Sequence, residues 1–450
     1  MKTLNQNKPY LKAEEALSIS KKLGAESCEI IYKSWTTSPI LFENNKLKSL
    51  ESSESSGISV RLIKGNKIGI SSSTDLETIE STVLSAVESS EFGPEATFDF
   101  TKQILSGDLE KKTNPPELPL EELVEKGESV IKEICKPHKD ILVSGGFELG
   151  CGETVYLNSY GVSGKRSKSI FSTNFSVNLI QGEDFLGIYD GESNTNNFPD
   201  ESKVANKIIE KLSSSMSVVS LSTNKYTVIF TPKAISNIFV DILGVVLNGK
   251  AVQQGISTLS EKLGQKLFDE KLTLIEDPNI GTSISPFDDE GIKTNKKALI
   301  KNGVINSFYF DLNNANKISK RKGVLQHSTG NGFKSSLAVA PSPQLTSLLI
   351  PAGNSSVNDL VASVKEGILI DQVLGAGQSN TLAGEFNIGI DLGFKIKNGK
   401  IQGRIKNCMV AGNIFEVLSK INAMSSEHDC INGSEFYPYF LIENLTVAAK

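Results

Sequence analysis

The stretch Tyr226–Gln253, YTVIFTPKAISNIFVDILGVVLNGKAVQ, contains the clearest change of structural pattern in this 450-residue sequence. Its first five residues are mostly apolar, which is typical of a buried strand. Thr231-Pro232 then predicts the start of a helix, because Thr is a favourable N-cap and Pro is tolerated at the first helical position. Apolar residues continue at close to helical spacing: Ile235, Ile238, Phe239 and Leu243. We therefore expect a strand followed directly by a long helix.

The sequence beyond this helix has the pattern of a β-rich domain. Asn302-Gly303 and Asn398-Gly399 each lie between runs in which apolar and polar residues alternate. Asn-Gly is the strongest short signal for a two-residue hairpin, because both positions must adopt positive φ. We assign residues 220–450 to a β-rich C-terminal domain.

The sequence upstream of this domain predicts two units with the same order of elements, helix, strands and helix. In the first unit, residues 1–92, a helix spans Leu11–Leu23, Lys64-Gly65-Asn66 turns a hairpin, and Thr74 with Glu77 has the spacing of a capping box. Residues 93–118 lack apolar periodicity and are interpreted as a linker or long loop. Residues 119–219 form the second unit. The expected fold class is α+β, with repeated N-terminal α/β modules followed by the β-rich domain.

Composition excludes several classes of function. The chain has 47 basic and 52 acidic residues, interspersed, for a formal net charge of -5. A nucleic-acid-binding surface would show a basic stripe instead. The long apolar run Ile238–Leu247 is interrupted by Asp241 and is far shorter than the roughly 20 residues of a membrane span. The five cysteines include no CxxC pair. We expect a cytoplasmic protein with reduced thiols and with neither nucleic acid nor membrane as a partner.

Two short segments and one cluster are candidate functional sites. Asp288, Asp289, Glu290 and Gly291 could hold a hard cation through carboxylate oxygens, or could form a tight turn. Ser328, Thr329, Gly330, Asn331 and Gly332 could cradle an anion with backbone N–H groups, or could serve close packing. His428, Asp429 and Cys430 form the only His/Cys cluster in the sequence, but two such donors in three residues do not make a tetrahedral metal site.

Four stretches of the C-terminal domain, read together, resemble the TldD/PmbA family, once called modulators of DNA gyrase. They occur in order along roughly Tyr226–Val447: Glu276-Asp277-Pro278, Phe287–Gly291, Ser328–Gly332 and Gly384-Glu385-Phe386. Gly57–Gly69 is similar to the N-terminal strand pair of that family. The resemblance implies a pair of cytosolic proteins. One is a zinc peptidase subunit with an HExxxH-type helix and a C-terminal Cys ligand, and the other is a related subunit without metal.

This sequence departs from the zinc-binding pattern. Within Ala234–Gln253, Val240 and Val245 fall where the resemblance places the two His ligands, and Asp241 falls near the Glu. The chain has three histidines, His138, His327 and His428, so no two of them can share a helical turn. Cys430 follows His428-Asp429 and is not in a Cys-Gly-Lys setting. We therefore expect no catalytic residue, metal or cofactor in this chain.

The resulting hypothesis is a non-catalytic TldE-like subunit of a metallopeptidase complex. Its partner would be a TldD-like subunit that carries the zinc, in a heterodimer, or a second copy of itself in a homodimer. Exposed strand edges would bind unfolded peptide substrate through main-chain hydrogen bonds. Two alternatives remain open: a self-contained cation-dependent hydrolase that uses Asp288, Asp289 and Glu290, and a non-enzymatic binding or regulatory protein.

Overall fold

The structure, a computed structural model, describes residues 8–105, 119–375 and 380–449. The elements of its N-terminal half are, in chain order, α1 (Lys8–Lys22), β1 (Ser27–Glu43), β2 (Lys46–Ser49), β3 (Ser53–Lys64), β4 (Lys67–Ser73), α2 (Ile79–Phe92), α3 (Leu120–Cys135), β5 (Leu142–Asn158), β6 (Ser163–Gln181), β7 (Asp184–Asn194) and α4 (Glu201–Ser215).

One antiparallel sheet contains all the strands of this half. Its order is β4-β3-β1-β5-β6-β7, and the short β2 pairs with β1. β1 pairs with β3 on one side and with β5 on the other, from Glu29↔Asn158 to Phe42↔Gly145. The strands of the two predicted units therefore form a continuous sheet. Helices α1 and α2 pack over the β1–β4 part, and α3 and α4 pack over β5–β7.

The predicted local elements of the first unit are mostly confirmed. α1 ends before Gly24, which has φ +82°, and the β3–β4 turn has Gly65 and Asn66 at φ +57° and +60°. The capping box at Thr74 and Glu77 is wrong, because the Asp75 side chain accepts the Glu77 N–H and forms a turn that delays the helix to Ile79. The predicted linker is described only over residues 93–105, where Phe98 and Phe100 are buried. Residues 106–118 lie outside the described residues.

The C-terminal half follows the predicted β-rich pattern. Its elements are β8 (Asn224–Phe230), α5 (Pro232–Ile235), a π-helical turn (Ser236–Val240), α6 (Asp241–Leu247), α7 (Gly249–Gln254), β9 (Leu274–Glu276), β10 (Lys297–Lys301), β11 (Val304–Ile305), α8 (Leu312–Lys322), β12 (Gly332–Phe333), β13 (Ser342–Pro343), β14 (Leu348–Leu349), α9 (Val357–Ser363), β15 (Glu366–Leu374), a 3-10 turn (Thr381–Ala383), β16 (Glu385–Lys397), β17 (Lys400–Arg404), β18 (Cys408–Asn413), α10 (Ile414–Val417), β19 (Ala423–Ile431) and β20 (Glu435–Ala449).

The second sheet closes on itself around a buried helical segment. Its order is β11-β10-β9-β14-β20-β18-β16-β15-β8, and β8 also pairs with β20. Ile235, Phe239 and Leu243 of the helical segment are buried in the core of this domain. Both Asn-Gly hairpins are confirmed as β10–β11 and β16–β17. The α+β fold class with a β-rich C-terminal domain is therefore confirmed.

The helix predicted over Ala234–Gln253 is interrupted in the structure. It runs from Pro232 to Leu247 through the π-helical turn, and Asn248 then leaves helical geometry with ψ 123°. The Asn248 side chain caps α7 by accepting the Lys250 N–H, and its amide donates to the Tyr309 hydroxyl. None of the helices in the described ranges has the length and apolarity that a membrane crossing requires.

Candidate functional site

The acidic turn predicted at Asp288–Gly291 is buried between the C-terminal domain and the N-terminal sheet. Asp288 accepts hydrogen bonds from the backbone N–H groups of Glu290 and Ile292 at 2.9 Å each and of Gly332 at 2.8 Å. Burial raises the pKa of Asp288 to about 7 in spite of these three donors. This carboxylate therefore organises the turn.

Asp289 connects the turn to two strands of the N-terminal sheet. Its carboxylate lies 2.6 Å from Lys33 Nζ on β1 and 2.5 Å from Arg166 Nη2 on β6. It also accepts the Lys334 N–H at 2.8 Å. Burial by itself would raise the pKa of Asp289, but Arg166 and Lys33 hold it below its usual range. Asp289 is therefore ionised at neutral pH.

Glu290 makes a second connection to the sheet through Arg61. Arg61 Nη2 donates to Glu290 Oε1 at 3.0 Å, and Arg61 Nε donates to Glu29 Oε1 at 2.7 Å. The other oxygen of Glu290 accepts the Leu312 N–H at 2.7 Å. Burial, together with the nearby carboxylates of Asp311, Asp288 and Glu29, raises the pKa of Glu290 although Arg61 opposes the shift. The turn and the sheet thus share a buried charge network.

The geometry favours the structural interpretation of this turn. Each carboxylate oxygen of Asp288, Asp289 and Glu290 already accepts at least one hydrogen bond from the protein. A cation at this place would have to displace buried donors that would then lose their partners, which costs about 1–3 kcal/mol for each group. Gly291 completes the turn at φ +70°.

The Ser328–Gly332 loop packs directly against the acidic turn. The Gly332 N–H binds Asp288, and its carbonyl accepts the Asp289 N–H at 2.9 Å. The N–H groups of Thr329 and Gly330 bind Phe310 O and Ser328 Oγ. A Cβ on Gly332 would lie 2.3 Å from Glu290 Oε2, so only glycine fits. The loop geometry therefore favours close packing over an anion cradle.

Asn331 links this loop to Glu276, which belongs to another of the four resembling stretches. The Asn331 amide donates to Glu276 Oε1 at 2.7 Å and to Gln344 O at 2.8 Å. Glu276 also accepts the Thr346 N–H at 2.8 Å and lies 2.7 Å from Lys297 Nζ. Three of the four stretches that carry the family resemblance thus meet in space as a network that supports the fold.

The His428-Asp429-Cys430 cluster is engaged by the surrounding protein. His428 Nε2 lies 2.8 Å from Ile350 O, and Asp429 contacts Lys207 at 3.2 Å and Tyr439 at 3.1 Å. Within residues 8–105, 119–375 and 380–449, no group of three or more His, Cys, Asp or Glu side chains is placed to hold a metal ion.

Val240 and Val245 remain apolar side chains on the central helical segment. Val240 is buried, whereas Val245 is partly exposed. Within this segment the Ser236 hydroxyl donates to Glu435 of β20. Burial raises the pKa of Glu435 in spite of that bond, and Asp241 adds to the shift. None of these five side chains is a histidine.

A cavity of about 240 Å³ lies beside the start of this helical segment and the edge of β7. Its lining comprises Ser144, Gly145, Asn174, Phe175, Ser176, Tyr189, Asp190, Gly191, Glu192, Ser193, Lys233, Asn237, Ile431, Asn432 and Gly433. We call it the edge cavity. Tyr189 directs its N–H to Gln372 Oε1 at 3.1 Å, and its carbonyl accepts from Lys233 Nζ at 2.6 Å. Because alternate residues of a strand direct their backbone groups to the same side, Gly191 and Ser193 direct theirs outward as Tyr189 does. The Gly191 N–H already donates to Asp190 Oδ1 at 3.0 Å, so the remaining outward donor is the Ser193 N–H.

Sequence reasoning did not identify the edge cavity. Lys233 lies 44 positions from Tyr189, and Gln372 lies 183 positions from it. The only local signal was a Lys immediately after Thr231-Pro232, and a single Lys at a helix start predicts no site. The contact exists because the C-terminal domain packs against the outer edge of the N-terminal sheet.

Comparison with known proteins gives matches in both halves of the chain. Residues 223–449 match the PmbA/TldA metallopeptidase C-terminal domain, and residues 28–90 match the PmbA/TldA metallopeptidase domain 1. An uncharacterized protein of Methanocaldococcus jannaschii is 28% identical over 428 residues, which are 90% of this chain and 93% of that protein. The metalloprotease TldD homolog of Buchnera aphidicola subsp. Acyrthosiphon pisum is 32% identical over 190 residues, which are 42% of this chain and 38% of that protein.

Among solved structures, TldE from Thermococcus kodakarensis has a similar fold. It superimposes with a TM-score of 0.85 at 23% sequence identity, covering 97% of this chain and all of the other.

Proposed function

Because this chain belongs to the PmbA/TldD metallopeptidase family, we propose that it serves as a non-catalytic, TldE-like subunit of a peptidase complex that acts on unfolded peptides. The zinc, the nucleophilic water and the general base would belong to a TldD-like partner subunit. This chain would stabilise that partner and form part of the wall of the peptide chamber.

One observation carries the proposal. The central helical segment presents Val240 and Val245 at the positions where the family resemblance places its paired His ligands. Apolar side chains have no lone pair to coordinate an ion, and zinc activation of water requires about three protein ligands and an open position. The three histidines of the chain, at positions 138, 327 and 428, are too far apart in sequence to replace such a pair on one helix.

The edge cavity supports a role in binding extended peptides. The outward N–H of Ser193 and the outward carbonyls of Gly191 and Ser193 on β7 are the kind of donor and acceptors to which another strand can pair. Main-chain pairing of this type recognises an extended peptide with little regard for its side chains. This property suits a complex that acts on unfolded segments.

Co-expression with a relative from the same genome that carries HExxxH tests the proposal. We expect a stable complex by size-exclusion chromatography with light scattering, and faster cleavage of an unstructured fluorogenic peptide than by the relative alone. A His→Ala change in the HExxxH motif of the relative should preserve the complex and abolish cleavage. Two results would refute the proposal: absence of both a complex and a rate increase, or chelator-sensitive cleavage by this chain alone with stoichiometric zinc.

A matched pair of variants tests the peptide-binding edge. Ser193→Pro removes an outward N–H without removing a hydrogen bond of the β6–β7 pair, so the complex should form and bind peptide more weakly. Ser193→Ala keeps the N–H and should bind as the wild type does. Equal peptide binding by both variants would argue against pairing at this edge.

A further inference from the structure

A second, larger cavity lies between the N-terminal sheet and the loops of the C-terminal domain. Its volume is about 480 Å³, within the usual range for sites that bind small ligands. Strands β1, β5 and β6 form one wall, and the loops around Asp289 and Lys334 form the other. The charged residues of its lining are Lys33, Glu153, Arg166, Lys168, Asp289 and Lys334. We call this cavity the basic cleft.

The carboxylates of the basic cleft are already paired. Glu153 lies 2.6 Å from Lys165 Nζ, which is not part of the lining. Asp289 is shared by Lys33 and Arg166. The four cations of the lining therefore have one buried carboxylate between them, and the cleft has an excess of positive charge.

Two lysines of the basic cleft have no carboxylate partner in the described part of the chain. Lys334 Nζ donates to two neutral oxygens, Ser59 Oγ at 3.0 Å and Val339 O at 2.6 Å. The Lys168 ammonium lies 5.7 Å from the centre of the Trp35 ring, and it has no hydrogen-bond acceptor among the residues described. Since solvation by a ring face is weaker than pairing with an anion, Lys168 is the group that a negatively charged ligand would satisfy.

The electrostatics agree with this geometry. Burial lowers the pKa of Lys168 to about 8, with further lowering by Arg166 and Lys33. Burial likewise lowers the pKa of Lys334 to about 8, with Arg61 adding to the effect. An anion beside either ammonium group would stabilise its charged form and offset the repulsion from the neighbouring cations.

We propose that the basic cleft binds a carboxylate group of an acidic peptide. Trp35, Ile284, Pro286, Phe333 and Leu345 give the lining apolar surface that would contact the organic part of such a ligand. A free inorganic anion would leave this surface exposed to water. The inference rests on the proposed function for the peptide and adds the chemical class of segment that this subunit prefers.

Trp35 supplies a direct measurement, because it is the only tryptophan in the chain. The full chain, without a zinc subunit, is titrated with an unstructured Glu-containing peptide while the fluorescence of Trp35 is recorded, and the heat of binding is measured in parallel. Saturable binding is expected. Two modified peptides show which carboxylate is bound. Amidation of the C-terminus removes the carboxylate of the chain end, and replacement of Glu by Gln removes that of the side chain.

Variants at position 168 test the assignment. Lys168→Gln should weaken binding about tenfold or more, the usual loss when a charge-assisted hydrogen bond is removed. Lys168→Arg should retain binding because the positive charge remains. Lys301→Gln removes an exposed lysine of β10 outside the cleft and should bind as the wild type does. Affinity should also fall as the pH rises from 7 to 9.5, as Lys168 and Lys334 lose their protons while Asp289 stays ionised.

Several results would overturn the proposal: no saturable fluorescence change and no heat with any peptide, equal affinity for the Glu peptide and for an amidated version with Gln in place of Glu, which has no carboxylate, or wild-type affinity in Lys168→Gln. Binding of inorganic phosphate, titrated in the same way, with no peptide binding would also overturn it. The cleft assignment and the proposed subunit role can fail independently of each other. Acidic-peptide binding without assembly with a zinc subunit would refute the subunit role alone. Assembly with accelerated cleavage that is insensitive to Lys168→Gln and to peptide charge would refute the cleft assignment alone.

Discussion

Replacement of Arg61 by Met is expected to destabilise the junction between the two halves of the chain. Arg61 is directly opposite Glu29 in the β1–β3 register, and it also binds Glu290 of the acidic turn. The side chains of all three residues are at most 2% exposed. Met has a similar length but cannot compensate either carboxylate, so the variant leaves negative charge buried without a partner.

The expected loss is about 3–5 kcal/mol in the free energy of unfolding, the usual cost of breaking a buried ion pair by removing one partner. The contacts of the Arg61 guanidinium with the rings of Phe98 and Phe100, at 5.1 and 5.2 Å, are also lost. Urea unfolding followed by the fluorescence of Trp35 measures the change, because Trp35 lies on β1, the strand that carries Glu29.

Two controls make this prediction specific. Lys48→Met removes a pair with Glu43 whose side chains are 55% and 51% exposed, and it should cost less than about 1 kcal/mol. Adding Glu29→Gln and Glu290→Gln to Arg61→Met should recover part of the lost stability, since neutral amides leave no buried charge but bring buried N–H donors of their own. A free energy of unfolding for Arg61→Met within about 1 kcal/mol of the wild-type value, or a triple variant no more stable than the single one, would contradict this prediction.

Two further predictions concern the acidic turn. Gly291→Ala should lower the free energy of unfolding by about 2–4 kcal/mol, because φ is +70° and the added Cβ would lie 2.4 Å from the Tyr156 ring. Gly244→Ala in α6, where the added Cβ meets nothing within 4 Å, should raise it by about 0.5–1 kcal/mol. Equal urea midpoints for the two variants would contradict this contrast. The second prediction is that the free energy of unfolding falls as the pH rises from 5 to 7. Asp288, with a folded pKa of about 7, keeps a proton that the unfolded chain has released by roughly pH 5. The pKa of Glu290 is raised in the same direction. The slope should be on the order of 1 kcal/mol per pH unit, and a stability that rises over this interval in urea titrations would contradict the assignment.

The local elements were predictable because their signals lie within a few residues. Positive φ at Asn302-Gly303 and Asn398-Gly399 requires those residue types, so the hairpins could be read directly. The break at Asn248 could not, because its amide has partners in a distant part of the chain, Tyr309 and Pro343.

The candidate residues were found, but the interactions that explain them could not be predicted. Asp289 meets Lys33 across 256 positions and Arg166 across 123, and Glu290 meets Arg61 across 229. A row of adjacent carboxylates looks the same in sequence whether its partners are a cation or the basic side chains of another sheet. The packing of the two sheets distinguishes these cases.

The fold class, the family and the absence of neighbouring histidines could all be read from the amino-acid sequence, since local patterning and a residue inventory require no knowledge of contacts. Only the packing of distant segments shows that the acidic turn is a buried junction, that the edge of β7 faces a cavity, and that Lys168 and Lys334 both line the basic cleft. These features depend on side chains brought together from distant parts of the chain, and burial there changes both the strength of a charge and the partners it can have.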